Sequence, residues 1–284
     1  MAGTGGPWFE AVPDDRVQPF TKVLSGAIVP FLILAFVVLY VFPDHTAQLF
    51  AWPIASTMTS MTLASAYLGG VYFFLRVLWL RRWHTARVGF TAVALFATLL
   101  GAATLLHWSV FSHDKVAFWL WVGLYWSTPF LVLGAWWANQ RRAAPAEPGE
   151  LRLSRGATRA VRLVGLLALA QGVALFVAPT VMIPLWPWPL TPLTAQVIGA
   201  IFCLGCAGLV TLRDARWSSL ELMVQVAVVM IVSILLAAVR AAGEFDPRRI
   251  LTWLLLAGFL LVLVGLVLLW RAMSRRRTSI IDTM

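Results

Sequence analysis

LVGLLALAQGVALFVAPTVMIPLWPWPLTPLTAQVIGAIFCLGCAGLVTL, residues 163–212, holds neither a charged residue nor a histidine. About 20 apolar residues cross the ~30 Å hydrocarbon core of a bilayer, so this run is long enough to cross twice. Its middle, Ala178–Pro192, carries Pro179, Pro184, Pro187, Pro189 and Pro192. Each proline removes a backbone donor and clashes with the preceding turn, and a helix interior does not absorb five of them. The stretch predicts one helix near 163–178, an apolar turn, and a second helix near 193–212.

Working outward, Val23–Pro43, Thr46–Leu75, Val88–Leu106, Val116–Gln140, Leu222–Val239 and Ile250–Trp270 are also free of charge and histidine. That gives eight spans. Composition agrees: 61% of the chain is hydrophobic and 12% is charged, against roughly 45–50% and about 25% in soluble domains. The first 22 residues, MAGTGGPWFEAVPDDRVQPFTK, lack the basic start of a signal peptide, so the first helix is expected to stay in the mature protein. Trp8 and Phe9 suit the headgroup layer, although a frayed terminus is the simpler reading.

Eight crossings put both termini on one side. That side holds 18 of the 22 lysines and arginines and a formal charge of +10. The other side holds Lys115, Arg240, Arg248 and Arg249, balanced by Asp44, Asp114, Glu244 and Asp246. The positive-inside rule then places both termini in the cytoplasm. The arginines flank helix ends in short runs, which membrane topology and anionic headgroups explain. No nucleic-acid partner is expected.

The chain also repeats itself. At an offset of 136, Val41, Pro43, Trp52 and Pro53 fall on Val177, Pro179, Trp188 and Pro189, and Leu68-Gly69 falls on Leu204-Gly205. At 134, Arg82-Trp83 falls on Arg216-Trp217, Phe111 on Phe245 and Trp119 on Trp253. The two-residue slip lies in the loop after the second helix of each unit, where length changes are tolerated. The expected fold is all-α, a polytopic membrane protein with eight transmembrane helices as two parallel four-helix repeats. A pseudo-twofold axis would then run along the membrane normal. The divisions are an N-terminal segment 1–22, repeats 23–140 and 163–272, a cytoplasmic linker 141–162 and a basic tail 273–284. Within the linker, 143–157 leaves room for a short amphipathic stretch.

Small residues at four-residue spacing mark close helix contacts in lipid. The second span has Ser56/Ser60, Thr62/Ala66/Gly70 and Ser65/Gly69, and the sixth has Gly199/Cys203 and Gly205 to Gly208. These two are expected at the axis. Spans 1, 5, 7 and 8, richer in Leu, Val and Phe, are expected to face lipid. In the loop between spans 5 and 6, Trp186 and Trp188 suit an interfacial belt; lining a pocket for a lipophilic ligand is the alternative.

Candidate chemistry is sparse. Cys203 and Cys206 form a C-x-x-C halfway along a span, remote from any cation that would stabilise a thiolate, so they read as packing residues. A bis-histidine haem needs imidazoles at matched depth, and the positions of His84 and His107 do not supply them. His45, His107 and His113 share the outer face with Asp44 and Asp114, where imidazole and carboxylate could hold zinc or copper. Arg240 is expected in a local ion pair with Glu244 or Asp246, with an anionic headgroup or substrate as the alternative. No ionisable residue sits deep in a span, and no Walker A motif, nucleophile elbow or intramembrane zinc motif is present.

The run WPWPLTPLTAQVIGAIF, 186–202, resembles a segment of uncharacterised multi-pass inner-membrane proteins of actinobacteria and related high-GC bacteria. The resemblance implies a bacterial inner membrane and carries no activity. The reading is a non-enzymatic helix bundle acting as an accessory subunit or through a lipophilic ligand, a membrane protein partner or a second copy. One alternative is a small-solute transporter with a path lined by Thr59, Thr62, Ser65 and Gln196. The other is a metal-dependent membrane enzyme using His45, His107 and His113.

Overall fold

The computed structural model describes residues 15–143 and 150–282, with side chains through 277. Trp8, Phe9 and positions 144–149 of the linker, and the expectations placed on them, lie outside the described residues. Eight helices are long and apolar enough to span a membrane: α1 Pro19–Val41, α2 Thr57–Trp79, α3 Arg87–Leu106, α4 Val116–Gln140, α5 Arg155–Val177, α6 Pro192–Leu212, α7 Trp217–Arg240 and α8 from Ile250. Among the described residues β structure is confined to isolated bridges. The chain is an all-α, multi-pass integral membrane protein.

Local chemistry sets the ends. Ser56 caps α2 by accepting from the Thr59 N–H, and Ser154 caps α5 by accepting from Ala157. Thr191 and Thr194 form a reciprocal capping box ahead of α6, with Pro192 in its first turn. The proline-rich turn separates α5 from α6 as expected. Two boundaries differ from the uncharged runs. α5 starts at Arg155, because its cap and its arginines extend the helix beyond the apolar stretch. α8 continues through Arg275–Arg277 to Asp282, so the basic tail is helical.

α1 packs along α2, α3 along α4, α5 along α6 and α7 along α8. α2 against α7 and α3 against α6 join the two sets of four. Exchanging α1–α4 with α5–α8 maps these pairs of neighbours onto themselves. The loops match in the same way. Val17 N–H donates to Arg81 O and Trp83 N–H to Asp15 O; Leu153 N–H donates to Ala215 O and Trp217 N–H to Leu151 O. On the opposite face Ser112 N–H donates to Ala51 O and Asp246 N–H to Pro187 O, each at 2.9 Å. Each corresponding pair is related by the offsets 136 and 134 found in the sequence.

The central helices are four, not two. α2 and α3 are 61% buried, α6 56% and α7 50%, against 17% for α5 and 11% for α8. Helix α7 therefore does not face lipid as expected. Its Gln225 Oε1 accepts from the Tyr72 hydroxyl at 2.8 Å and from Arg76 at 2.9 Å on α2, a polar seam that a count of Leu and Val overlooks. The small residues of α6 also serve another contact: Gly199, Gly205 and Gly208 meet the backbone of α5. A Cβ at Gly172 would lie 2.6 Å from Gly199 O and 2.8 Å from Cys203 Sγ. Cys203 is buried in that seam.

Gly172→Ala is expected to destabilise the protein by about 1–3 kcal/mol, the range for overpacking a tight contact. Gly265→Ala on α8, where a Cβ meets nothing within 4 Å, should cost nothing. Thermal unfolding of the two variants in the same detergent checks the difference.

Candidate functional site

The first four helices enclose a cleft of about 130 Å³. Ile28, Phe31, Leu32, Leu34, Ala35 and Val38 of α1 form one wall; Leu120, Trp121, Leu124, Tyr125 and Thr128 of α4 form the other. Tyr67 and Phe74 of α2 and Phe96 and Ala97 of α3 close the back. Exposed Phe31, Leu34 and Leu120 stand at the rim, so the cleft opens sideways towards hydrocarbon.

The sequence explains why α1 and α4 part here. At the face carrying the termini they are tied together. Asn139 on α4, 1% exposed, donates to Thr21 Oγ1 at 2.6 Å and accepts the Gln18 N–H at 3.0 Å. Further along, Pro30 interrupts α1 and Pro129 interrupts α4. Each removes an N–H, leaving the carbonyls of Gly26 and Tyr125 without their helical donors. α1 ends in a π turn, Val37–Val41, a form that recurs at functional sites. The corresponding positions to Pro30 and Pro129 in the second set are Leu166 and Leu263.

The cleft wall is almost wholly carbon. Its polar centre is the pair Tyr67 and Tyr125, whose hydroxyl oxygens lie 2.8 Å apart; Tyr67 is 3% exposed and Tyr125 9%. The indole N–H of Trp121 is already used on Thr104 Oγ1, at 2.8 Å. Among the described residues the lining carries no charged side chain, and its polar side chains are Tyr67, Tyr125 and Thr128. Such a wall can hold apolar matter and offer it one or two hydrogen bonds.

The residues singled out in the sequence lie elsewhere. Thr59 and Trp188 meet: the indole N–H donates to Thr59 Oγ1 at 2.9 Å. Trp186 and Trp188 are buried, at 0% and 2% exposure, so neither sits in an interfacial belt. Arg249 donates to Trp186 O and Asp246 N–H to Pro187 O, and these bonds fold the loop back onto the bundle. Ser65 donates to Met61 O within α2, and Thr62 Oγ1 has no partner among the described residues. Gln196 donates to Phe176 O and its Oε1 faces His107 Nε2, both at 3.0 Å. These groups are packed, and none lines the cleft.

The three outer histidines do not gather. His107 faces Gln196, His113 lies 4.7 Å from the Phe118 ring, and His45 stands edge-on to Phe42. Among the described residues no three of His, Cys, Asp and Glu are placed to hold a metal. Arg240 forms neither expected ion pair. Its guanidinium donates to Tyr40 O and Val41 O at the end of α1. Glu244 instead accepts from Ser56 Oγ, Thr57 N–H and Met58 N–H at the start of α2, where a carboxylate is favoured by the helix dipole. Asp246 pairs with Arg249.

Two groups of residues were missed. One is the cleft, since nothing in the periodicity of α2 and α4 says that Tyr67 and Tyr125 meet. The other is a buried charge cluster at the face carrying the termini. There Asp214 binds Arg216 (2.9 Å), Arg87 (2.5 Å) and Ser219 (2.7 Å), while Arg216 also reaches Glu150 at 3.2 Å. His84 Nδ1 contacts Asp15, and its Nε2 is 3.9 Å from Glu150. The cluster ties segments before α1 and α5 to the loops before α3 and α7. Burial pushes the Asp214 carboxyl up, but bonds from Arg216 and Ser219 outweigh it and hold the carboxyl well below its usual range. The matched Arg82-Trp83 and Arg216-Trp217 were the only sequence signal at this place.

Protein-family profiles, curated proteins and solved structures give no match to this chain.

Asp214→Asn should destabilise the protein by about 3 kcal/mol, because Arg87 loses its carboxylate partner and the buried Arg216 keeps only Glu150. The wild-type carboxyl is depressed in the folded state. Its contribution is therefore full above about pH 4 and is lost as pH falls below that value. Unfolding midpoints measured from pH 7 downward should fall more steeply for the wild type than for the variant.

Proposed function

We propose that the protein binds a lipophilic molecule drawn from the bilayer into the cleft between α1 and α4, and that it does so without catalysing a reaction. The carrying observation is the cleft itself: carbon-walled, open to hydrocarbon on one side, with a hydroxyl pair at its back. Dry apolar cavities of roughly 150 Å³ take up benzene-sized solutes, so about 130 Å³ suits a single ring or a short length of chain. The depth of an ordinary ion or sugar site would need charged or hydrogen-bonding walls, which this cleft lacks.

The repeated neighbours and loop hydrogen bonds support descent from one four-helix unit. The strong excess of arginine on the face carrying the termini supports a cytoplasmic position for that face in a bacterial inner membrane. A membrane partner or second copy would find its surface on α5 and α8, the least buried helices.

The test is photolabelling of the protein in lipid nanodiscs with a long-chain alkane carrying a diazirine. Labelling at Leu124 and Thr128 should saturate with probe concentration, while labelling at lipid-facing Leu261 on α8 should rise in proportion to it. Ala97→Phe, which fills the cleft from α3, should abolish the saturable part. Proportional labelling at all three positions would overturn the proposal.

A further inference from the structure

We infer that the cleft selects a neutral lipophile carrying a carbonyl oxygen within its hydrocarbon body; this rests on the binding reading above and names the ligand class. Two phenols carry two O–H donors, and one hydrogen bond joins them. Whichever hydroxyl donates, the other keeps an O–H with no partner among the described residues. That donor belongs to a side chain at least nine-tenths buried and set in the cleft wall. In hydrocarbon no water can accept from it, and an unanswered buried donor is costly. A ligand oxygen in the cleft would answer it.

The chemistry of that oxygen is further restricted. Among the described residues no cation lines the cleft, so a carboxylate or phosphate would be buried without a counter-charge. A neutral carbonyl fits. Depth excludes the ester groups of ordinary phospholipids. Tyr67 lies near the middle of α2, about 15 Å from one helix end and about 18 Å from the other at 1.5 Å per residue. Phospholipid esters stay at the edges of the ~30 Å core. An acyl chain could enter the cleft, but its ester would not reach the tyrosines. The matching ligand carries its carbonyl on a ring or in mid-chain, among apolar atoms. Trp121, Phe96, Phe74 and Phe31 around the cleft suit a flat ring.

The selectivity belongs to the first set of helices alone. The positions corresponding to Tyr67 and Tyr125 are Cys203 and Phe259, which offer no comparable donor.

The experiment compares two diazirine probes of equal length in nanodiscs, the alkane and the same chain with one mid-chain ketone. Half-saturation of cleft labelling should come at about threefold to tenfold lower concentration for the ketone, the worth of one net hydrogen bond. The double variant Tyr67→Phe/Tyr125→Phe should bind both probes alike, at the alkane's concentration. Either single variant still carries one unshared phenolic O–H and should keep most of the preference. Equal half-saturation of the two probes in the wild type would overturn the carbonyl inference and leave lipophile binding standing. Absence of saturable labelling by both would overturn both. Retained ketone preference in the double variant would also overturn the assignment, and the circular dichroism of that variant shows whether it folds.

Discussion

Hydrocarbon offers no hydrogen bonds, so a polar group inside a membrane bundle is costly unless it finds a partner within the protein. That constraint fixes the arrangement of the four central helices. Trp188 binds Thr59, Gln196 binds His107 and the Phe176 carbonyl, and Gln225 binds Tyr72 and Arg76. Several of these bonds cross between the first four helices and the last four. Separating the halves would leave donors and acceptors bare in lipid. The glycine seam of α5 and α6 adds close backbone packing where polar partners are few.

The charged residues obey the same rule at the two faces. Glu244 terminates α2, Arg240 terminates α1, and Asp214 with Arg216 and Arg87 seals the loops beneath the bundle. With charge consigned to the ends, the membrane interior is left with hydroxyls, amides and aromatic rings. A cleft in such a medium is suited to lipophiles. It forms between α1 and α4, both interrupted by proline and joined towards one end by Asn139 and Ala138.

Much of this was legible in the sequence. Eight uncharged runs and a proline cluster in the longest of them specify eight helices, because span length and proline chemistry act locally. The twin offsets pick out residues that make equivalent loop bonds, Trp83 with Trp217 and Ser112 with Asp246. Pairings between helices were not legible. Trp186 and Trp188 read as belt residues because tryptophan serves both interfaces and cores, and only the bonds to Arg249 and Thr59 distinguish the two. Glycine spacing on α6 identified a tight seam, yet not that α5 lies across it. Tyr67 and Tyr125 are 58 positions apart and carry no shared motif, so their meeting depends on how the first four helices come together.

The central claim is that α1 and α4 stand apart in the bilayer and admit a lipophile against the two tyrosines. An electron cryomicroscopy map of the protein in nanodiscs made from its native lipids tests this most directly. The account predicts α1 and α4 joined near Asn139, separated above Ile28, and elongated non-protein density between them reaching the Tyr67 and Tyr125 hydroxyls. A map in which α1 and α4 pack together along their length, sealing both tyrosines away from lipid, would contradict it.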